Sequence, residues 1–131
     1  MNAAARRYHA VATQTASGER LMILLMHAAL SSMEKAKAQI EKAPTLAEGD
    51  VDEVTTLVTK ALDIVQHLQS TLDVTRAPSV TKPIVDCYAF VVWKLVAGRN
   101  QRSAKLVAEA AQVFGPIVDA FDHAVEAAHV R

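Results

Sequence analysis

Cysteine, glycine and proline are scarce in this chain, and each shortage excludes a class of protein. A single cysteine in 131 residues excludes an internal disulfide, which fits a reducing, cytoplasmic location. Four glycines and four prolines fall at candidate breaks between long segments, as in a helical protein. Fourteen basic residues balance fourteen acidic ones, so the chain lacks the basic excess of a dedicated nucleic-acid-binding protein.

Long apolar runs and catalytic motifs are also missing. No stretch reaches the roughly 20 apolar residues that a membrane span requires, and Arg6 and Arg7 are not followed by a secretory h-region. We find no Gly-x-Ser-x-Gly elbow, Cys-x-x-Cys pair or phosphate-binding glycine loop. We therefore predict no membrane insertion, no catalytic residue, no cofactor and no enzyme activity.

Histidines raise the question of a metal site. Glu126 and His129 have the Glu-x-x-His spacing of di-iron bundles, but such sites need two of these motifs and two further glutamates. Asp63 and His67 are four residues apart and would chelate only weakly. We predict no metal ligands, and we expect His27 to be a packed or edge histidine.

Residues 83–97 form the most apolar stretch of the chain. On a helix, Tyr88, Val91 and Leu95 share one stripe, whereas Phe90 and Trp93 fall on the far side. A helix that is apolar all round must be covered on more than one side. The far side therefore has to meet either more of this protein or a partner.

Capping residues and breaks divide the chain into four predicted helices. They cover residues 18–42 after Ser17, a segment that runs to Leu72 with Asp50 as its N-cap, residues 83–97 with Gly98 as the end, and residues 104–128 after Ser103. Residues 75–82 are predicted to be a loop, and Gly115-Pro116 should kink the fourth helix or divide it. The fold class is all-α: an antiparallel four-helix bundle over residues 17–131, with a flexible N-terminal arm over residues 1–16.

The first and third helices carry more apolar surface than their neighbours can cover, which predicts an apolar groove for a partner. Either the Tyr88 stripe or the face with Phe90 and Trp93 could be the groove side. Tyr8 and Val11 give the arm apolar contacts, so it is either a frayed end or a flap over the groove. The predicted partner-binding residues are Tyr8, Val11, Leu57, Ile64, Leu68, Tyr88, Val91, Val92 and Leu95.

Near the N-terminus, Tyr8 and Val11 are followed by Thr15-Ala16-Ser17 and by the leucines of Arg20-Leu21-Met22-Ile23-Leu24-Leu25. This order resembles the flagellar secretion chaperone family FliS, and the resemblance spans most of the chain, from about Tyr8 to Ala124. Similarity continues through Lys60–Val65 and Tyr88-Ala89-Phe90. The chain departs from the family pattern where Gly18 replaces proline and Phe121 replaces tryptophan.

The resemblance implies a role as well as a helical bundle. The chain would bind the disordered C-terminal segment of flagellin in the cytoplasm, prevent premature polymerisation and deliver the subunit to the flagellar export apparatus. A disordered client loses conformational entropy when it folds onto a chaperone, so a wide apolar contact is needed. The family likeness also favours the flap interpretation of the arm.

Two alternatives stay open at this point. The surplus apolar surface could pair with itself in a structural homodimer that has no flagellin client. A metal enzyme built on a helical bundle is the third hypothesis.

Overall fold

The computed structural model describes residues 17–130, with side-chain burial for residues 18–127. Within this part of the chain all regular structure is helical, which confirms the predicted all-α class. Residues 1–16, with Tyr8 and Val11 of the predicted arm, lie outside the described residues. The four helices are α1 (Ser17–Lys42), α2 (Glu53–Thr71), α3 (Pro78–Gln101) and α4 (Ala104–Val130).

Helix contacts follow the order of the chain. Each helix packs against the next and α4 returns to α1, while in the described residues the diagonal helices have no Cα atoms within 8 Å of each other. Arg99 of α3 reaches Thr59 of α2, and Arg102 reaches Asp52 at the start of α2. Because later residues of α3 meet earlier residues of α2, the two helices run in opposite directions. The predicted antiparallel bundle is confirmed.

The core is apolar and contains side chains of all four helices. The rings of Tyr88 and Phe114 have centroids 6.3 Å apart between α3 and α4. Burial of each large aliphatic or aromatic side chain stabilises the fold by about 1.5–3 kcal/mol. Besides these rings, the largest fully buried side chains are Met26, Met33, Val54, Val58, Val65, Val91, Leu95, Val107 and Val118.

The start of α2 differs from the prediction that Asp50 caps it. Asp52 is the N-cap, because its Oδ1 accepts a hydrogen bond from the backbone N–H of Thr55 at 3.0 Å. Hydrogen bonds from Thr55 hold the pKa of Asp52 below its usual range. Asp50 instead donates its N–H to the carbonyl of Ala47 in the preceding turn, where Gly49 has a φ of 87°.

The start of α3 also differs from the prediction. Ala77 adopts a left-handed conformation with a φ of 45°, and Pro78 opens the helix. The hydroxyl of Thr81 donates to the carbonyl of Ala77 at 3.2 Å. The prediction of a loop up to residue 82 is wrong in its second part, and Pro83 lies inside the helix. Its missing N–H leaves only the carbonyl of Ser79, in the first turn, without a helical partner.

The turn between α3 and α4 was predicted correctly at one end only. Gly98 does not end α3, which continues to Gln101 and stops at Arg102, a left-handed residue with a φ of 49°. The hydroxyl of Ser103 accepts from the backbone N–H of Leu106 at 3.2 Å, which confirms the predicted N-cap of α4. Helix α4 runs continuously through Gly115-Pro116, so it is not divided into two helices.

Candidate functional site: the groove between α1 and α2

Three neighbouring depressions follow α2 from its first turn to its last. The first and third lie where α2 meets α1, and the second lies over the outer surface of α2 with Leu25 as its α1 residue. Their volumes are about 640, 620 and 110 Å³. Thr56 lines both the first and the second, and Leu25 lines both the second and the third. We call this continuous surface the α1–α2 groove.

The section at the start of α2 combines an apolar floor with a charged rim. Leu57 is half-buried on the floor, and Val51, in the loop before α2, is 81 % exposed beside it. Lys35 and Lys42 stand on the α1 side, and Glu53 stands on the α2 side. An apolar floor between charged rims suits an amphipathic segment, because apolar side chains can be buried while polar ones stay in water.

The remaining sections continue the same pattern along α2. Ile64 and Leu25 are half-buried and face the second depression, which Lys60 and Asp63 border. Leu68 lines the third depression but is itself buried. Three predicted partner-binding residues of α2, Leu57, Ile64 and Leu68, therefore each line one section of the groove.

The predicted residues of α3 lie elsewhere. Tyr88, Val91 and Leu95 are buried in the core, and burial raises the pKa of Tyr88 to about 12, with a smaller contribution from Cys87. The Tyr88 stripe is therefore the core side of α3 in this arrangement of helices, and of the two faces left open by the sequence the one with Phe90 and Trp93 points outward. Val92 is half-buried and packs against the core. Partner binding by these four residues stays a prediction, and for the buried three it would require helices to separate.

Phe90 and Trp93 occupy the outward face of α3. Their exposed fractions are 38 % and 62 %, and their ring centroids lie 6.4 Å apart. The ammonium of Lys94 lies 4.8 Å from the Trp93 ring and is paired with Glu109 of α4. The hydrogen bond from Lys94 holds the pKa of Glu109 below its usual range. This face is separate from the α1–α2 groove.

Two arginines near the α3–α4 turn are occupied by protein groups. Arg102 donates to the carbonyl of Ala43 and contacts Asp52, and Arg99 donates to the hydroxyl of Thr59. These contacts connect the ends of α1, α2 and α3. Arg99 and Arg102 therefore have a structural role at this end of the bundle.

Groups that could support chemistry are dispersed over the described residues. His27 contacts both carboxylate oxygens of Asp122, at 2.9 and 2.8 Å, and so connects α1 to α4. Cys87 of α3 is partly buried. No group of three or more His, Cys, Asp and Glu side chains in the described part of the chain is arranged to hold a metal ion. None of the described helices is both long enough and apolar enough to cross a membrane.

Several groove residues were not among those predicted from the sequence. Helical spacing puts Leu25 on the apolar stripe of the first helix, and no role is predicted for Val51. One feature of the sequence could have indicated that Val51 is exposed. It is an isolated valine between two aspartates, so it does not belong to the apolar stripe of a helix. Helical spacing does not distinguish Leu25 from the core residues of α1, because Leu25 lies at the edge of the buried face of that helix.

Comparison with protein families decides the general identity of the chain. A family model described as "Flagellar protein FliS" matches residues 1–128. The chain belongs to the FliS family. Membership gives it the general role of a flagellar export chaperone and places it in a non-enzymatic chaperone family. A search of curated proteins finds no match to the chain.

Proposed function

We propose that this FliS-family chain binds the disordered C-terminal segment of flagellin in the cytoplasm and holds it in the α1–α2 groove. By covering that segment it prevents premature polymerisation, and it delivers the subunit to the flagellar export apparatus. The observation that carries the proposal is the groove itself, which runs along the full length of α2 and keeps Leu25, Leu57 and Ile64 half-exposed.

The shape of the groove supports an extended or helical client rather than a compact one. Its three depressions follow the 19 residues of α2, a length of about 28 Å at 1.5 Å per residue. An amphipathic client helix of similar length can place one apolar residue per turn in successive depressions. A disordered segment forms such a contact without first breaking a fold of its own.

Charges on the rim favour one orientation of the client over non-specific adhesion. Lys35, Lys42 and Lys60 lie on the rim with Glu53 and Asp63. None of these five side chains forms an ion pair within the described residues. They are therefore free to meet polar groups of a client, and rim charges mainly affect orientation and association rate.

The N-terminal arm is proposed to cover part of the groove before the client arrives. Tyr8 and Val11 are the apolar side chains that would contact it, and the client would displace them. In that arrangement the arm shields the section of the groove beside Gly18, which Leu21 and Leu25 line, from aggregation in the unloaded chaperone. Removal of the arm would then strengthen client binding, because no competing contact has to be broken first.

Calorimetric titration with a flagellin C-terminal peptide tests the proposal. We expect saturable binding to the full chain and tighter binding to a chain that lacks residues 1–15. Equal affinities would contradict the role of the arm and leave the groove in place. No heat and no complex in either form would contradict the chaperone function itself.

A further inference from the structure

The α1–α2 groove has one closed end and one open end. At the start of α2 the loop of residues 43–52 joins α1 to α2, and Val51 of this loop lines the first section of the groove. At the other end Gly18 and Thr71 border the third section, and the chain continues from Thr71 towards α3 rather than α1. A bound chain can therefore leave the groove without crossing the loop only at the end beside Gly18 and Thr71.

This asymmetry suits one direction of the client. The proposed client is the C-terminal segment of a longer protein, so it has one free chain end and one end that continues into the rest of the subunit. The free chain end can stop at the closed end of the groove, whereas the continuing end needs the open one. A client in this direction runs antiparallel to α2, with its C-terminus at the start of α2.

Two lysines stand at the closed end without a partner among the described residues. Lys35 and Lys42 are exposed, line the first section from the α1 side and form no ion pair there. Their Cα atoms are about 10.5 Å apart along α1, but the flexible four-carbon stem of lysine lets both ammonium groups reach into the same depression. Lys37, which lies between them in the sequence, is paired with Glu41 instead and lines no section.

Acidic groups near the closed end leave these lysines available. Glu53 is the acidic side chain that lines the first section. Asp52 contacts Arg102 and so belongs to the contacts of the α3–α4 turn. Glu48 and Asp50 are exposed in the loop and line none of the three sections, and water and salt screen such exposed charges. The first section therefore has two basic side chains in its lining and one acidic side chain.

The other sections have no such excess of positive charge. Lys60 is balanced by Asp63 in the second section. The lining of the third section, as the structure describes it, contains neither lysine nor arginine. A negatively charged group of the client is therefore bound best at the closed end, where the direction argument also places its chain end.

We propose that Lys35 and Lys42 bind the C-terminal α-carboxylate of the client and thereby fix its direction in the α1–α2 groove. The inference rests on the proposed function and adds to it the group that is recognised and the residues that recognise it. An α-carboxylate is ionised at neutral pH, and hydrogen bonds from an ammonium to a carboxylate are stronger than those between neutral groups.

Two forms of one peptide test the inference. The flagellin C-terminal peptide, acetylated at its N-terminus, is titrated into the protein with either a free C-terminal carboxylate or a carboxamide. The carboxamide should bind about 5-fold more weakly at low salt, the effect of losing two exposed ion pairs, and the difference should shrink at high salt. Peptide helicity acts in the opposite direction, because a carboxamide removes a negative charge from the negative end of a helix.

Matched variants locate the contact on the protein. The double variant Lys35→Gln/Lys42→Gln should bind the free carboxylate about 5-fold more weakly and should no longer distinguish it from the carboxamide. Lys37→Gln/Lys82→Gln is the control, because it removes the same charge from exposed lysines that line no section of the groove. This control should keep the full difference between the two peptides, and circular dichroism checks the fold of both variants.

Two outcomes would overturn the inference alone. The unmodified protein could bind the two peptides equally, or the difference between them could persist in Lys35→Gln/Lys42→Gln, which would place the carboxylate elsewhere. In both cases the peptide still binds, so the proposed function stands. Absence of binding by either peptide would contradict the proposed function and the inference together.

Discussion

The guanidinium of Arg102 holds the carbonyl of Ala43 with two hydrogen bonds, from Nη2 at 3.0 Å and from Nε at 3.2 Å. Ala43 directly follows α1, whereas Arg102 ends α3, so the contact joins the ends of two helices whose backbones do not approach each other in the described residues. Arg102 also has a left-handed backbone, with a φ of 49°. The side-chain bonds therefore offset a backbone cost at the same residue.

Replacement of Arg102 separates these two effects. Arg102→Ala should lower the free energy of unfolding by about 2 kcal/mol, because hydrogen bonds to the charged group are lost. Arg102→Gly should lower it by about 1 kcal/mol less than alanine does, since glycine adopts the left-handed region without strain. Urea unfolding of both variants measures the difference, and equal losses would show that the backbone at this residue is not strained.

Gly98 is required because α4 approaches α3 closely at this point. A Cβ atom at residue 98 would lie 2.9 Å from Cγ2 of Val107 and 3.2 Å from its backbone nitrogen. Gly98→Ala should therefore destabilise the bundle by about 1–3 kcal/mol, as overpacking does in other cores. Thermal unfolding measures the loss.

Gly115→Ala is the matched control for that substitution. Gly115 also lies inside a helix, but nothing lies within 4 Å of a Cβ atom added there. Alanine should stabilise the protein by up to about 1 kcal/mol, because it has the higher helix propensity. Similar effects of the two substitutions would contradict a close approach at Gly98.

Burial of Tyr88 predicts an unusual response to alkaline pH. Its pKa is raised to about 12, mainly by burial, whereas an unfolded chain releases the tyrosine proton near pH 10. Because the folded pKa is the higher one, the stabilisation is complete below about pH 10 and is lost as the pH rises towards 12.

Ultraviolet titration of a Tyr8→Phe variant isolates Tyr88, because the chain has only two tyrosines. Tyrosinate absorbance should appear near pH 12 in the folded variant and near pH 10 in urea. A midpoint near 10 without urea would show that the phenol is open to solvent.

Local signals explain which parts of the fold could be predicted from the sequence. Ser103 caps α4 with its own hydroxyl, so its role depends on residues a few positions away. Pro78 and Pro83 both suit the first turn of a helix, and only the left-handed backbone at Ala77 decides between them. Glycine is common at helix ends, so the sequence predicts an end at Gly98. Its actual role is close packing against Val107, a tertiary contact that sequence spacing does not reveal.

The candidate site was harder to predict than the fold. Residues 83–97 are apolar on every side, so helical spacing alone could not show that Tyr88 faces the core and Trp93 faces outward. The groove residues of α2 were easier, because Leu57 and Ile64 widen an otherwise clear amphipathic stripe. Val51 was missed because its exposure depends on how the loop before α2 crosses the end of α1.

The most direct test of the central claim compares two substitutions that place the same charge on exposed valines. Val51 lines the α1–α2 groove and is 81 % exposed, whereas Val80 is 60 % exposed on α3 and lines no part of the groove. Neither change should disturb the fold, and circular dichroism checks this for both variants.

Calorimetric titration of the two variants with the flagellin C-terminal peptide gives the decisive comparison. A carboxylate against the apolar floor should weaken client binding, so we predict that Val51→Asp raises the dissociation constant about 10-fold or more. Val80→Asp should leave it within about 2-fold of the unmodified protein. Unchanged binding by Val51→Asp, or equal losses in both variants, would contradict client binding in the α1–α2 groove.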